Sequence, residues 1–144
     1  MQQQPSLTIR RRVEAPPERV FAAWTDPAQI ARWWGPRDSC ITRHAESDPR
    51  VGGRWRIVFT CDGTEEEHDV RGEYREVVPN ERLVFTWAWR TAPERESVVT
   101  VALRPDGGAT VLTLTHEQFA DEGARDRHSN GWNGTLDRLA KLFA

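Results

Sequence analysis

The side chains best suited to moving a proton are His116, His128 and Glu76. Imidazole titrates near neutrality, and an inward carboxylate can act as a general base or anchor a ligand. His116 falls on the alternating inward set of a strand, and His128 lies one helical turn before Trp132, on the same stripe. Glu76 shares the parity of Tyr74. Each also has a plain structural reading, in which a neighbouring group satisfies the histidine and Glu76 sits at a strand end paired with Arg82. Cys40, Cys61, His44 and His68 supply atoms suited to zinc, but they are scattered without a short ligand pair, so no metal site is expected. Neither cysteine follows a helix N-terminus or a basic cluster that would stabilise a thiolate. With only two cysteines and no C-x-x-C pair, a disulfide framework is not expected either. No nucleophile, base and orienting group come together as a set.

The composition is more telling in its aromatic residues. Seven Trp stand against one Tyr and one Met, and such large amphipathic rings suit a surface that holds or packs something flat or apolar. Trp55, Ile57 and Phe59 alternate with Arg54, Arg56, Val58 and Thr60. Val70, Gly72 and Tyr74 do the same in the next run, and Phe85, Trp87 and Trp89 follow Leu83 in another. Together these make a continuous inward wall, either plain core or the lining of a ligand cavity. Trp33 and Trp34 are adjacent and on a helix would point about 100° apart. One therefore closes the mouth of the cup, while the other either folds over the helix corner or is an exposed contact for a ligand or a second protomer.

The elements that must position these residues follow from periodicity. Leu7 to Val13 reads as a first strand, and Pro16-Pro17 with Glu18 opens a helix carrying Val20, Phe21 and Trp24. A second short helix starts at Pro27 and stops at Gly35-Pro36. From Ser39 to Glu117 the chain is nearly all strand, with turns at Gly52-Gly53, Asp62-Gly63, Pro79-Asn80, Ala92-Pro93 and Asp106-Gly107-Gly108. The short spacings imply an antiparallel meander. Val99, Val101 and Leu103, then Leu112, Leu114 and His116, extend the buried face. After Asp121 the period becomes helical, and Trp132, Leu136, Leu139 and Phe143 form the stripe the sheet must cover. The reading is therefore α+β, a curved antiparallel sheet gripping a C-terminal helix, in one domain spanning residues 1–144.

Charge and length narrow the partners. Twenty Lys plus Arg are interspersed with 22 Asp plus Glu over 144 residues, so no basic face for nucleic acid is expected. No run of about 18 apolar residues and no secretory leader pattern is present, which predicts a cytoplasmic protein without a membrane partner.

Several local patterns fall together in order: Trp33-Trp34-Gly35-Pro36, Val51-Gly52-Gly53-Arg54-Trp55, the run from Gly72 to Leu83, His116 to Phe119, and Gly131-Trp132. In this the chain resembles the family named for the activator of heat-shock-protein-90 ATPase, within the START-like SRPBCC superfamily. The resemblance runs from about Leu7 to Phe143. It implies the helix-grip fold, with six or seven antiparallel strands, two short helices after the first strand and a long C-terminal helix. Gln118 stands where many relatives carry Gly, so no special backbone angle is expected there. The superfamily mixes ligand carriers, cyclases, hydrolases and interaction modules, so the resemblance fixes no chemistry.

The leading expectation is binding of a small apolar or aromatic molecule between sheet and C-terminal helix. The wall of Trp55, Ile57, Phe59, Tyr74, Phe85, Trp87 and Trp89 would line it with Trp132 and Leu136, and Glu76, His116 and His128 would give it polarity. No cofactor is expected. The alternatives are a cyclase-type enzyme acting on a carbonyl compound in the same cavity and a co-chaperone-like interaction module working through its outer surface. A homodimer is compatible with all three.

Overall fold

The computed structural model describes residues 4–144. Strand β1 (Leu7–Val13) leads into helices α1 (Pro17–Thr25) and α2 (Pro27–Ile30). Six strands follow: β2 (Ile41–Ser47), β3 (Arg54–Thr60), β4 (His68–Val78), β5 (Arg82–Trp89), β6 (Ser97–Asp106) and β7 (Ala109–Glu117). Helix α3 (Glu122–Leu142) closes the chain. The strands form one antiparallel sheet in the order β1-β7-β6-β5-β4-β3-β2, curled as a half-barrel around α3. This is the helix-grip fold that the alternation and the C-terminal stripe imply.

Local chemistry sets the boundaries. Pro17 occupies the first turn of α1 with Glu18 beside it, and the Asp26 side chain accepts from the Ala28 N–H at 3.0 Å to start α2. Asp121 caps α3 in the same way, accepting from Ala124 at 2.7 Å, which contributes about 1 kcal/mol. Gly107 and Gly108 both have positive φ, the geometry a two-residue hairpin requires, and they join β6 to β7 where Asp106 faces Ala109. The stripe on α3 is buried at Trp132, Leu136 and Leu139. Phe143, at the C-cap, is half-buried with the Arg19 guanidinium over its ring.

Gly72 shows how closely the wall is packed. A Cβ there would overlap the Thr86 carbonyl oxygen and crowd Trp55 Nε1, and the Trp55 indole donates to that same carbonyl at 3.2 Å. Only a residue without a side chain lets the ring lie flat on the neighbouring strand.

Three expectations need correction, and one open reading is decided. Strand β4 bulges between Tyr74 and Glu76. An extra residue flips the parity beyond it, so Val77 packs on the core and Glu76 faces out, pairing with Arg82 at 3.2 Å. Strand β2 bulges likewise between Thr42 and His44.

Cys40 and Cys61 are joined as a disulfide, contrary to the expectation from their number and spacing. The cause is register. Ile41 faces Thr60 across the β2–β3 ladder, and the next opposed pair outward is Cys40 and Cys61.

Gln118 adopts φ 69°, although no special angle was expected there. The chain must turn sharply out of β7 so that Phe119 can tuck beneath His116, with ring centroids 4.2 Å apart. A left-handed non-glycine residue costs roughly 1–2 kcal/mol, which this buried contact offsets.

The open reading concerns Trp33 and Trp34: both are buried, at 0% and 5% exposure, so of the two alternatives the folded-over one holds. The Trp33 indole donates to the Ala23 carbonyl at 3.1 Å, and the pair folds over the helix corner.

No helix among the described residues is long and apolar enough to cross a membrane. The disulfide closes a loop of 21 residues, and constraint of the unfolded chain by a loop of that size contributes about 3 kcal/mol. A Cys40→Ser, Cys61→Ser double variant should lose about that much in urea unfolding. An unchanged midpoint would mean that the bridge adds nothing to stability.

Candidate functional site

The inward wall divides into two unlike halves. Trp55, Ile57, Tyr74 and Phe85 surround, with Trp24, Ile30, Trp34 and the exposed Glu46 at its edge, a gap of about 20 Å³, room for about one water molecule. That half is core. The Tyr74 hydroxyl there lies 2.7 Å from Ser47 Oγ, and burial raises its pKa, so it stays neutral. At the other end lies a cavity of about 530 Å³, within the usual range for small-molecule sites.

Each wall of this cavity comes from a different element. Phe59 of β3 and Trp87 and Trp89 of β5 form the sheet side, and His128, Gly131, Trp132 and Thr135 of α3 form the helix side. The segment from Trp34 to Arg37 forms the third wall, and Cys61, His68 and Arg127 complete the lining. Trp34 lines both the large cavity and the small gap, and so separates them. Arg138 of α3 holds that segment by donating to the carbonyls of Trp34 at 2.7 Å and Gly35 at 3.3 Å.

The two histidines have fixed tautomers. An indole can only donate, so the contact of Trp132 Nε1 with His116 Nδ1 at 3.0 Å makes Nδ1 the acceptor. Burial, reinforced by His128, lowers the His116 pKa to about 2. The ring is therefore neutral, its proton lies on Nε2, and Nε2 donates to Ser97 Oγ at 2.7 Å. The same reasoning applies to His128. Nε2 accepts from Trp89 Nε1 at 3.0 Å, leaving Nδ1 to donate to the Ala124 carbonyl at 2.7 Å. Burial lowers its pKa as well, opposed by that backbone bond and assisted by Arg127. Every ring nitrogen of the pair is occupied. Neither has a lone pair free to take a substrate proton or a second N–H to give one.

The model of one family, described as activator of Hsp90 ATPase homolog 1-like protein, matches residues 14–144. The chain belongs to this family. Among solved structures of AHSA1-like type, protein CV1439 from Chromobacterium violaceum is 30% identical, with a TM-score of 0.86 and 96% of each chain covered. The AHSA1 protein SPO3351 from Silicibacter pomeroyi is also 30% identical, with a TM-score of 0.83 and the same 96% coverage of both chains. Protein Mll3558 from Rhizobium loti is 31% identical, with a TM-score of 0.73 and 96% of both chains covered. No protein of curated function matches. This START-like, AHSA1-type fold is a scaffold of the ligand-binding kind.

Of the candidate residues, Phe59, Trp87, Trp89, His128 and Trp132 come together around this cavity. His116 lies behind Trp87 and Trp132, and Leu136 is buried in the core. Trp55, Ile57, Tyr74 and Phe85 belong to the filled half, and Glu76 lies outside. Sequence periodicity misses Arg37, Arg127, Gly131 and Thr135 as lining residues. Gly131 and Thr135 are one helical turn apart and in line with His128, so the α3 stripe through His128 carried the signal for those two.

A histidine held neutral in the folded state destabilises the protein in acid. Below about pH 6.5 the unfolded chain takes up a proton that folded His116 refuses. Stability is therefore full above that pH and falls continuously towards the folded value of about 2. The slope is about 1.4 kcal/mol per pH unit for one such group, and His128 acts in the same direction. Urea unfolding between pH 6.5 and 4.5 should show this loss, and His116→Gln should flatten it. A profile of equal slope in the variant would contradict the assignment.

Proposed function

We propose that this AHSA1-like protein binds a small apolar or aromatic molecule in the cavity between sheet and α3. The observation that carries the reading is the division of the cup. One half is packed to the size of a water molecule, yet about 530 Å³ is left open at the other end, walled by Trp34, Trp87, Trp89 and Trp132. Indole walls favour flat partners through offset and edge contacts.

The same residues speak against the cyclase-type alternative. Both histidines have their ring nitrogens engaged, and Glu76 is paired with Arg82 on the outside. An interaction module working through apolar contact would carry an exposed apolar patch. Among the described residues the exposed large apolar side chains are Ile41 and Val51, on separate segments.

Gly131 allows a clean test. It lines the cavity, and a Cβ placed on it meets nothing within 4 Å. Replacing helical Gly with a larger residue there should keep or raise stability by about 0.5–1 kcal/mol, while a large ring occupies the cavity. Titration with the neutral fluorophore N-phenyl-1-naphthylamine should give saturable binding to the native protein. Gly131→Phe should bind it at least roughly tenfold more weakly without loss of thermal stability. Equal binding by both proteins would refute the cavity reading.

A further inference from the structure

We infer that the occupant of this cavity is a monoanion, an aromatic carboxylate whose ring lies among the indoles and whose charged end meets Arg127. The inference rests on the cavity reading above and adds the chemical class of the ligand.

The first support is the charge of the lining. It contains two arginines, Arg37 and Arg127, two histidines, and no Asp or Glu, in a chain where acidic residues outnumber Lys plus Arg by 22 to 20. A mixed surface would be expected to put carboxylates there. Both arginines are exposed, so they set a positive sign at the mouth of an apolar space.

The two arginines are not equivalent. Arg37 is already neutralised, with Nε donating to both carboxylate oxygens of Asp62 at 3.1 Å and Nη2 2.9 Å from one of them. Arg127 makes no hydrogen bond or ion pair with any described residue. One uncompensated guanidinium balances one negative charge. Both ring nitrogens of the neighbouring His128 are engaged, so among the lining arginines and this histidine Arg127 is the group left to meet a charged ligand.

Aromatic walls and one guanidinium without a partner together describe an aryl carboxylate better than a hydrocarbon or an amine.

The test compares acid and amide partners of the same ring size by calorimetric titration at low salt: benzoate with benzamide, 2-naphthoate with 2-naphthamide, and 2-anthroate with its amide. At least one acid should bind roughly tenfold or more tightly than its amide, and about 0.5 M salt should shrink that preference. Arg127→Gln should bring acid and amide within about twofold, Arg127→Lys should retain part of the preference, and Gly131→Phe should weaken both. Amides binding as well as acids to the native protein would overturn the anion inference and leave the cavity reading standing. A preference unchanged in Arg127→Gln but lost in Arg37→Gln would overturn the assignment to Arg127. Binding of none of the six compounds, or equal binding by Gly131→Phe, would overturn both readings.

Discussion

Trp34 stands between Trp55, Trp87 and Trp132, with ring centroids 6.4, 5.9 and 5.7 Å away. A seven-stranded sheet curled around one helix encloses more volume than the helix fills, and this indole decides where the surplus goes. On one side its ring completes a packed core with Trp24, Trp55 and Phe85. On the other its face is left as a wall. Burying a ring of this size removes about 150–250 Å² from water, an upper bound of roughly 4–6 kcal/mol. Its place is fixed from both ends of the sequence. Arg138 grips its carbonyl, and Gly35, at φ 108°, lies so close to Cys40 that a Cβ would collide with that side chain. The disulfide, the short-helix corner and α3 therefore meet at the divider.

The histidines reinforce that division. His116 and His128 sit 5.3 Å apart between centroids, and each accepts from a different indole, one on α3 and one on β5. Acceptors of this kind orient the Trp rings that form the cavity, as clasps between sheet and helix. Their neutrality follows from the same burial that makes them useful there. What the sequence offers as candidate acid–base chemistry becomes, in three dimensions, the means by which aromatic walls are held at fixed angles.

Much of the fold was legible because a strand with one wet face writes its parity directly into the sequence. The apolar set of β3 and the run from Leu112 to His116 needed nothing more. The failures all lie where a local insertion or a long-range register intervenes. Glu76 obeys the parity of Tyr74 on paper, but a bulge has no compositional mark and turns it outward. Cys40 and Cys61 look unrelated until the β2–β3 register sets them opposite each other. Gln118 takes an angle that glycine would adopt at lower cost, because burial of Phe119 decides the turn. The site was half legible: Phe59, Trp87, Trp89, His128 and Trp132 follow from periodicity. The boundary between filled and open space did not, since it depends on where the Trp34 loop rests. Arg127 reads as an ordinary solvated residue on a helix until it is seen to line a cavity that has no carboxylate in its lining.

A curled but unclosed sheet has two free margins, β1 and β2, each with backbone groups that a further strand could join. On β2 the bulge at Arg43 breaks the flat row of donors and acceptors, and exposed Arg43, His44 and Glu46 put charge along it. Such an edge is a poor template for strand addition. On this margin the half-barrel can therefore stay open to solvent without offering a regular strand for another chain to extend.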